Sequence, residues 1–277
     1  MILRTAVVII VVFLVAVWLG SRRQQRALAA QIDRLVRAGE GRAAHSDTAP
    51  QLDGIPAPVA RYLRLALPDR AHIQEVRITQ VGTLRTDATS DRWMAFEAEH
   101  IVVPPATGFV WNARVSIAPL LRVRVRDSLV EGRGAGQVSL LSAFPVSSAA
   151  GTQEMNSGSL HRYLAEAVWY PTALLPNAKL EWSPIDASRA LATLTDRGVS
   201  VSLEFRFAET GEVTGIYTAA RWGTFEGGYR QVPWEGHFRD YQERDGVVVP
   251  TEGDVGWYVG DRWHAVWRGR IIGYRLQ

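Results

Sequence analysis

The side chains most suited to binding chemistry are aromatic and charged residues on one predicted helix and in the last quarter of the chain. Trp169 and Tyr170 end that helix, and aromatic residues are interleaved with Arg, Glu and Asp from Trp222 onward. Aromatic side chains with a few polar groups are typical of ligand pockets, but Trp also fills the cores of β proteins. Both interpretations stay open. The candidate ligand-binding residues are Arg162, Glu166, Trp169, Tyr170, Trp222, Trp234, Glu235, Tyr241, Trp267 and Arg268.

Acid–base catalysis is the second chemistry that these residues allow. Glu166, Glu235 or Asp240 could serve a hydrolase as acid or base, provided that two of them converge in one cleft with perturbed pKa values. The sequence has no H-E-x-x-H, no G-x-S-x-G and no Walker loop. It has no cysteine, which excludes disulfides, cysteine nucleophiles and thiolate zinc sites. We therefore expect no metal and no cofactor, and we favour a domain that is not an enzyme, with the enzymatic alternative left open.

Two histidines illustrate why no metal site is expected. His100 stands on an apolar strand face, where a histidine is more often a hydrogen-bonded core residue than a ligand. His161 and Glu166 are five residues apart on the helix, so their side chains diverge, whereas a spacing of four could share a metal ion.

A row of arginines marks a third candidate feature. Arg122, Arg124 and Arg126 lie on one face of a predicted strand. Three guanidinium groups in a row could hold an anionic ligand or a lipid head group. They could equally form an ion-pair ladder with Glu97 and Glu99, which also share a strand face, and we favour the ladder.

The positive charge of the chain is concentrated near its N-terminus. The net charge is +3, but residues 1–44 hold seven Arg against two acidic residues, a balance of +5, which leaves −2 for the rest. Nucleic-acid binding needs a basic surface on the folded domain, because neutralising phosphates supplies most of the affinity. The sequence therefore predicts no nucleic-acid partner.

The N-terminal segment, residues 1–22, is predicted to be a transmembrane anchor. The stretch from Ala6 to Leu19 is unbroken and apolar, and with its flanks it is just long enough to cross about 30 Å of hydrocarbon. A cleaved signal peptide is the alternative, but Arg22, Arg23 and Arg26 follow the apolar stretch directly and argue against cleavage. We expect a single-pass protein of the cell membrane. The flanking charges leave the side of the membrane undecided.

Residues 23–55 are predicted to form a juxtamembrane helix and a linker. Leu28, Ile32, Leu35 and Val36 follow helical spacing. This helix could be a solvated stalk, which we favour, or it could lie on anionic lipid. Residues 43–58 have the composition of a linker, and a short helix is expected over 58–67.

Residues 56–277 are predicted to be a single β-rich domain, because period-2 alternation recurs between turn signals. Strands are expected near 75–86, 93–102, 107–117, 120–130, 137–145, 179–184, 188–196, 199–207, 213–221, 230–241, 246–250, 254–259 and 263–275. Residues 132–136, GRGAG, are predicted to be a turn or bulge between strands. One helix, capped by Ser157 to Ser159 and ended or kinked by Pro171, interrupts the strands. The fold class is α+β, predominantly antiparallel: a curved sheet or open half-barrel with a central helix.

The whole domain resembles a bacterial family that is catalogued as a domain of unknown function, number 6544 or its close relative 6920. The main match is RYLAEAVWYPTALLP at 162–176. Others are PAPVARYL at 56–63, GFVW at 108–111, VRVRD at 123–127, ATLTD at 192–196, VSLEFRF at 201–207, PWEG at 233–236, FRDY at 238–241 and WRG at 267–269. WHAVW at 263–267 departs from the family's proline-aromatic stretch. The resemblance implies no assigned activity. The order of elements is also similar to the half-barrel of periplasmic lipoprotein carriers, a fold-level analogy.

The leading hypothesis is a membrane-tethered, non-enzymatic domain that binds an apolar or amphiphilic small molecule, such as a lipid. A hydrolase is the first alternative. An envelope protein-interaction module is the second, and an exposed aromatic patch would be its sign.

Overall fold

Thirteen antiparallel strands form one continuous curled sheet, a half-barrel, in the computed structural model, which describes residues 2–40, 52–68, 73–119 and 121–277. The strands are β1 (Val76–Leu84), β2 (Met94–Val103), β3 (Gly108–Ala118), β4 (Leu121–Val130), β5 (Arg133–Leu140), β6 (Phe144–Ala150), β7 (Leu180–Pro184), β8 (Arg189–Asp196), β9 (Val199–Phe207), β10 (Val213–Phe225), β11 (Gly228–Arg244), β12 (Val247–Val259) and β13 (Arg262–Leu276). The helices are α1 (Ile2–Gly39), α2 (Ala57–Ala66) and α3 (Gln153–Glu166). The predicted fold class is confirmed.

The sheet has the spatial order β6-β5-β4-β3-β2-β1-β13-β12-β11-β10-β9-β8-β7. Its middle is the pair β1 and β13, in which the last strand returns to lie beside the first, with Val76 opposite Leu276. The two edge strands are β6 and β7. All seven residues of β6 are exposed.

Alternation of side chains explains why these segments form strands with one buried face. In β9, Val201, Leu203, Phe205 and Phe207 are buried while the residues between them are partly exposed. Side chains on successive strand residues point to opposite faces, so the apolar set of β9 covers the concave side of the sheet. The sequence pattern predicted this strand with its bounds.

The concave side of the half-barrel is filled rather than hollow. Helices α2 and α3 and two short 3₁₀ helices (Ala167–Trp169 and Pro171–Leu174) pack there against apolar residues of both halves of the sheet. Tyr170 is fully buried, and its hydroxyl donates to the carbonyl of Tyr163 at 2.7 Å. The indole of Trp169 donates to the carbonyl of Pro250 at 3.0 Å. Trp169 and Tyr170 therefore belong to the core with their polar atoms hydrogen-bonded.

The bounds of three predicted elements are wrong. The strand predicted over 137–145 is two strands, β5 and β6, separated by a turn in which Leu141 and Ser142 have positive φ values of 52° and 57°. The strands predicted over 246–250 and 254–259 are one strand, β12. Helix α3 begins about a turn earlier than predicted, because Thr152 rather than the 157–159 segment caps it and accepts a hydrogen bond from Met155 N at 3.2 Å.

The GRGAG segment is a turn only at its start. Gly132 has a φ of 76° in the turn between β4 and β5, whereas Gly134 and Gly136 lie within β5. A Cβ atom on Gly134 would lie 2.5 Å from the carbonyl oxygen of Met155. Gly134 therefore permits α3 to lie close to the sheet, a role that turn statistics do not reveal.

Helix α1 is continuous from the apolar N-terminal segment to Gly39, and it is long and apolar enough to cross a membrane, a property that it shares with signal sequences. Its second half is not solvated on all sides. Leu35 is 0% exposed and packs with Val103, Ala106, Val110 and Val130 on the outer face of the sheet. The predicted juxtamembrane helix is part of α1, but the solvated stalk is wrong for this face. The linker predicted over 43–58 lies largely outside the described residues.

Candidate functional site

A cavity of about 210 Å³ lies between α3 and the two halves of the sheet. We call it the mouth cavity. Helix α3 approaches β10 closely at Gly158: a Cβ atom there would lie 3.0 Å from the carbonyl oxygen of Trp222. The residues that line the cavity are Phe109, Asp127, Ala135, Glu154, Met155, Gly158, Ser159, Arg162, Arg221, Trp222, Gly223, Thr224, Tyr229 and Trp257.

Arg162 is the centre of the charged group at this cavity. Its Nη1 donates to Asp127 Oδ2 at 2.9 Å and its Nε to Glu166 Oε1 at 2.9 Å. Its guanidinium carbon lies 5.1 Å from the ring centroid of Phe109 and 5.0 Å from that of Trp111. Burial opposes its charge, but Glu166 and Asp127 outweigh burial and raise the pKa of Arg162. Arg162 is therefore fixed as a cation between two carboxylates.

Arg221 is the second guanidinium at this cavity. It is half-buried, and its charge is less well compensated. It lies over the rings of Trp234 and Trp257, at 4.4 Å and 5.0 Å. Its Nη2 donates to the carbonyl of Gly158 at 2.9 Å, and its buried Nε has no partner among the described residues. Burial, followed by the charge of Arg162, lowers the pKa of Arg221 to about 10. An anionic group in the mouth cavity would supply the missing partner.

Glu166 and His100 meet below Arg162. His100 Nε2 lies 3.5 Å from Glu166 Oε2, and both atoms are buried without a hydrogen-bond partner among the described residues. Burial raises the pKa of Glu166 against the opposing effect of Arg162. Burial, and then the charge of Arg162, lowers the pKa of His100 well below its ordinary value. His100 is a core residue as predicted, but the prediction that it is hydrogen-bonded is wrong.

His161 is a neutral histidine one position before Arg162. Its Nδ1 lies 3.1 Å from the carbonyl oxygen of Ser157. Burial, followed by the charge of Arg221, lowers the pKa of His161 to about 4. We call Asp127, Arg162, Glu166, Arg221, His100 and His161 the inner cluster.

Most of the predicted site residues face the interior. Arg162 and Trp222 line the mouth cavity, while Glu166, Trp169, Tyr170 and Trp234 lie in or against the core beneath it. Trp267 packs on Trp169 with ring centroids 6.2 Å apart. Tyr241 packs against the core, and its hydroxyl donates to the carbonyl of Val213 at 2.9 Å. Apart from Arg162 and Trp222, these residues support the cavity rather than line it.

Glu235 and Arg268 lie away from the mouth cavity, because each neighbours an inward-facing Trp on its strand and strand side chains alternate. Arg268 lies over the ring of Trp93 at 4.6 Å. Glu235 belongs to a separate network, in which Arg206 Nη1 donates to its Oε1 at 2.7 Å and the Tyr258 hydroxyl to its Oε2 at 2.6 Å.

The rest of that network surrounds His237. The Nδ1 of His237 lies 2.8 Å from Asp254 Oδ1 and its Nε2 lies 3.2 Å from Glu235 Oε1. The hydrogen bond to Asp254 is the largest cause that raises the pKa of His237. Both ring nitrogens are thus held by carboxylates, which suits a structural imidazolium.

The carboxylates proposed for a hydrolase do not converge. Glu166 lies in the inner cluster and Glu235 in the network around His237. Asp240 has a φ of 54°, and its carboxylate accepts a hydrogen bond from Gln242. Among the residues that the structure describes, no three His, Asp or Glu side chains are grouped so that they could hold a metal ion.

The arginine row is not paired as the sequence analysis favoured. Strand β3 lies between β2 and β4, so Glu97 and Glu99 are not direct cross-strand partners of the row. Arg126 instead donates to the carbonyl of Gln24 in α1 at 3.1 Å. Arg124 donates to Ser142 Oγ and Asn112 Oδ1, both at 3.2 Å. Two of the three arginines therefore fasten neighbouring elements.

Sequence reasoning missed Asp127, His100 and Arg221 as members of the site. Asp127 stands inside the VRVRD match, and His100 is the one polar residue on its apolar strand face. Arg221 follows a bulge between Thr218 and Arg221 in the pairing of β10 with β11. A bulge changes which side chains face inward, so no alternation rule could have placed Arg221.

One protein family matches the chain: a family of unknown function, DUF6544, over residues 46–269. No curated protein matches the chain. A LolA superfamily protein from Nitrosomonas europaea is similar in structure, with 11% identity and a TM-score of 0.43, over 79% of this chain and 92% of that one. A β-barrel-like protein of the domain of unknown function DUF1849 from Brucella abortus has 10% identity and a TM-score of 0.22, over 74% and 98%. At these values neither likeness carries information about a ligand.

Proposed function

We propose a function for this chain, which belongs to the DUF6544 family of unknown function, from the inner cluster, the mouth cavity and helix α1. The domain binds a small amphiphilic molecule in the mouth cavity and performs no chemistry on it. The anionic group of the ligand lies on Arg221 and Arg162, and its apolar part lies along Trp257 and Tyr229. Helix α1 tethers the domain to a membrane.

The incompletely bonded guanidinium of Arg221 supports this proposal. The side chain of Arg221 is half-buried and its Nε is buried without a partner among the described residues. A buried donor without a hydrogen bond costs about 1–3 kcal/mol. The carboxylate Glu166 is already bonded to Arg162, and the Nε of Arg221 faces no acceptor among the described residues. A carboxylate or phosphate oxygen could accept bonds from it in the fork geometry that guanidinium groups favour.

The size of the mouth cavity limits what can enter it. Its volume of about 210 Å³ is below the range of roughly 300–1,000 Å³ that is usual for drug-sized ligands. The filled concave side offers no continuous channel among the described residues for two acyl chains. A head group or a single short chain fits, with any longer tail left outside against Trp257 and Tyr229.

Decanoate is a suitable probe, because it combines a carboxylate with one short apolar chain. We expect the delipidated full chain in detergent to bind decanoate more tightly than decanol or decylammonium, as measured by titration calorimetry. Arg221→Gln should weaken decanoate binding roughly ten- to hundredfold, since hydrogen bonds to charged groups contribute about 1.5–3 kcal/mol. Arg268→Gln is the matched control, because Arg268 also lies over a Trp ring but outside the mouth cavity.

Equal affinity for the three amphiphiles, or an unchanged affinity in Arg221→Gln, would overturn the proposed ligand. The tether is tested separately by alkaline carbonate extraction of membranes. We expect the full chain to stay in the membrane fraction and a variant without residues 2–19 to be released. Release of the intact chain, or a mature N-terminus beyond residue 19, would show that α1 is no anchor.

A further inference from the structure

A second anion site is suggested by the point at which α1 leaves the sheet. A Cβ atom on Gly20 would lie 2.9 Å from the Cβ of Ala143, in the turn between β5 and β6. From there α1 runs over β4 and β3, and Gly39 reaches Val103 and Ala106 at the other end of these strands. The apolar segment before Gly20 therefore extends from the sheet end that carries the β5–β6 turn. If α1 enters a bilayer, as proposed above, this end faces it.

Apolar side chains are exposed at this end beside the helix. Leu141, Phe144 and Val146 are 38%, 38% and 63% exposed. Leu141 is held in the turn with a positive φ. Exposed apolar residues beside a membrane-spanning segment are suited to the interfacial region of the bilayer.

A groove of about 490 Å³, the rim groove, opens at the same end of the sheet. It lies between the β1–β2 loop and the turn from β3 to β4, and β4 is paired with β5 there, with Val123 opposite Leu140. Neighbouring strands are about 4.8 Å apart, so the groove is on the order of 10 Å from the β5–β6 turn. It has an apolar wall that includes Trp93, Met94, Ile117 and Pro119.

Two exposed arginines, Arg92 and Arg122, line the rim groove. Arg92 donates from Nη2 to the carbonyl of Ile117, and its other side-chain donors have no partner among the described residues, so they can reach a ligand. Helix α1 adds Arg22, Arg23 and Arg26 just after its exit point. The acidic residues of the β1–β2 loop, Asp87 and Asp91, do not line the groove, and Asp87 is engaged by Thr89 at 2.8 Å. The groove is thus cationic with an apolar wall.

We propose that the rim groove binds the phosphate of an anionic phospholipid and so docks this end of the domain on the membrane surface. Arg92 and Arg122 hold the phosphate, while Trp93, Met94 and Ile117 contact the glycerol and upper acyl region. Leu141, Phe144 and Val146 rest in the interface beside it. The inference depends on the proposed tether and is independent of the mouth cavity.

The absence of cysteine from the sequence allows one labelled position to report docking. The full chain with Phe144→Cys, carrying a nitroxide, is placed in nanodiscs of phosphatidylcholine with or without phosphatidylglycerol. We expect phosphatidylglycerol to protect the label from a water-soluble nickel relaxation agent. A label at Gln277→Cys, at the far end of β1, should stay accessible in both lipids.

Arginine variants test whether the rim groove causes the protection of the label. Each basic residue near an anionic surface contributes about fivefold to the equilibrium. Combining Arg92→Gln with Arg122→Gln should therefore lower the ratio of protected to accessible label by roughly 30-fold. Arg275→Gln, an exposed arginine at the far end, should leave it unchanged.

The outcomes separate the proposals. Equal protection in both lipids, or protection that survives loss of both arginines, would overturn the rim groove as a phospholipid site. A chain that does not co-purify with nanodiscs of either kind would instead overturn the tether. Decanoate titration of the same variants should be unchanged, because neither arginine lines the mouth cavity.

Discussion

At the scale of single residues, the inner cluster is close to electroneutral, with two guanidinium groups facing two carboxylates and two neutral histidines. The bonds are unevenly shared, since Arg162 takes both carboxylates and Arg221 takes neither. A ligand anion at Arg221 would therefore supply a hydrogen-bond acceptor where one is missing, without displacing an existing ion pair. Under the proposed function, this asymmetry makes Arg162 chiefly a structural residue and Arg221 the main contact of the ligand anion.

Replacing Arg162 tests the structural role. Arg162→Met should lower the free energy of unfolding at pH 8 by about 3 kcal/mol, because the buried Glu166 loses its partner. The pKa of Glu166 is already raised in the folded protein, so the folded state binds a proton at Glu166 more tightly than the unfolded state does. As the pH falls from above this raised pKa towards 4.5, Glu166 becomes protonated and neutral in the folded state. The stability lost by Arg162→Met should therefore shrink over this range. Urea denaturation at several pH values measures it.

The control for Arg162→Met adds Glu166→Gln. Neutralising Glu166 removes the unpaired charge, so the double variant should recover part of the lost stability at pH 8. A double variant that is less stable than the single one would contradict this account of the pair.

His161 gives a pH dependence of opposite sign. Its folded pKa of about 4 lies below its ordinary value of 6.5, so the stability from the neutral form is complete above pH 6.5 and is lost as the pH falls towards 4. The loss amounts to about 3 kcal/mol at most, at 1.36 kcal/mol per pH unit. His161→Gln should remove this part of the slope between pH 6.5 and 4. An unchanged slope would mean that folding does not lower the pKa of His161.

At the scale of elements, the position of α3 depends on close approaches to two strands. On one side Gly134 of β5 leaves room for the backbone of Met155, and its N–H donates to Asn156 Oδ1 at 2.8 Å. On the other side Gly158 of α3 lies against β10. The mouth cavity exists because the helix is held between these contacts.

Substitution of Gly134 should displace the helix. The new Cβ of Gly134→Ala would lie 2.5 Å from a backbone oxygen, and overpacking of this kind costs about 1–3 kcal/mol. Decanoate affinity should fall as well, because α3 forms one wall of the cavity. Gly136→Ala, on the same face, is the control, since its nearest atoms are 3.4 Å away. Equal thermal unfolding temperatures in the two variants would contradict the packing argument.

The sequence predicted the strands better than the site. Alternation located β9 to the residue and nine other strands closely, because burial on one face leaves a local pattern. It could not distinguish β5 from β6, because the turn between them uses Leu and Ser at positive φ rather than Gly or Asn. The inner cluster depends on contacts between α3, β2, β4 and β10, and such contacts leave no local signal. Trp234 and Glu235, adjacent in sequence, face opposite sides, so a list chosen by residue type alone mixed the two faces.

At the scale of the whole molecule, α1 belongs to the folded domain as well as to the segment suited to a membrane. Gln31 Nε2 donates to Ser128 Oγ at 2.6 Å, Arg126 donates to the backbone of α1, and Leu35 is fully buried. A helix fastened along about half of its length cannot turn freely about its exit point. The orientation of the half-barrel relative to the apolar segment is therefore fixed by packing.

Two truncations should show this coupling. Removing residues 2–19 should leave the free energy of unfolding nearly unchanged, because the side chains described there are exposed or partly exposed. Removing residues 2–39 should lower it by at least about 2 kcal/mol, since burial of one side chain such as Leu35 contributes about 1.5–3 kcal/mol. Urea denaturation in mild detergent compares the two. Equal stability of both truncations would mean that the second half of α1 does not contribute to the fold.

An open half-barrel leaves two unpaired strand edges, and in a membrane many copies would meet in two dimensions. Exposed edges offer backbone donors and acceptors to neighbouring chains and so promote aggregation. Both edge strands carry a proline, Pro145 in β6 and Pro184 in β7, and β7 is only five residues long. Proline has no N–H to donate, so each edge lacks a bond that intermolecular pairing would need. The gap in the barrel that admits α3 can therefore stay open without recruiting a second copy to close it.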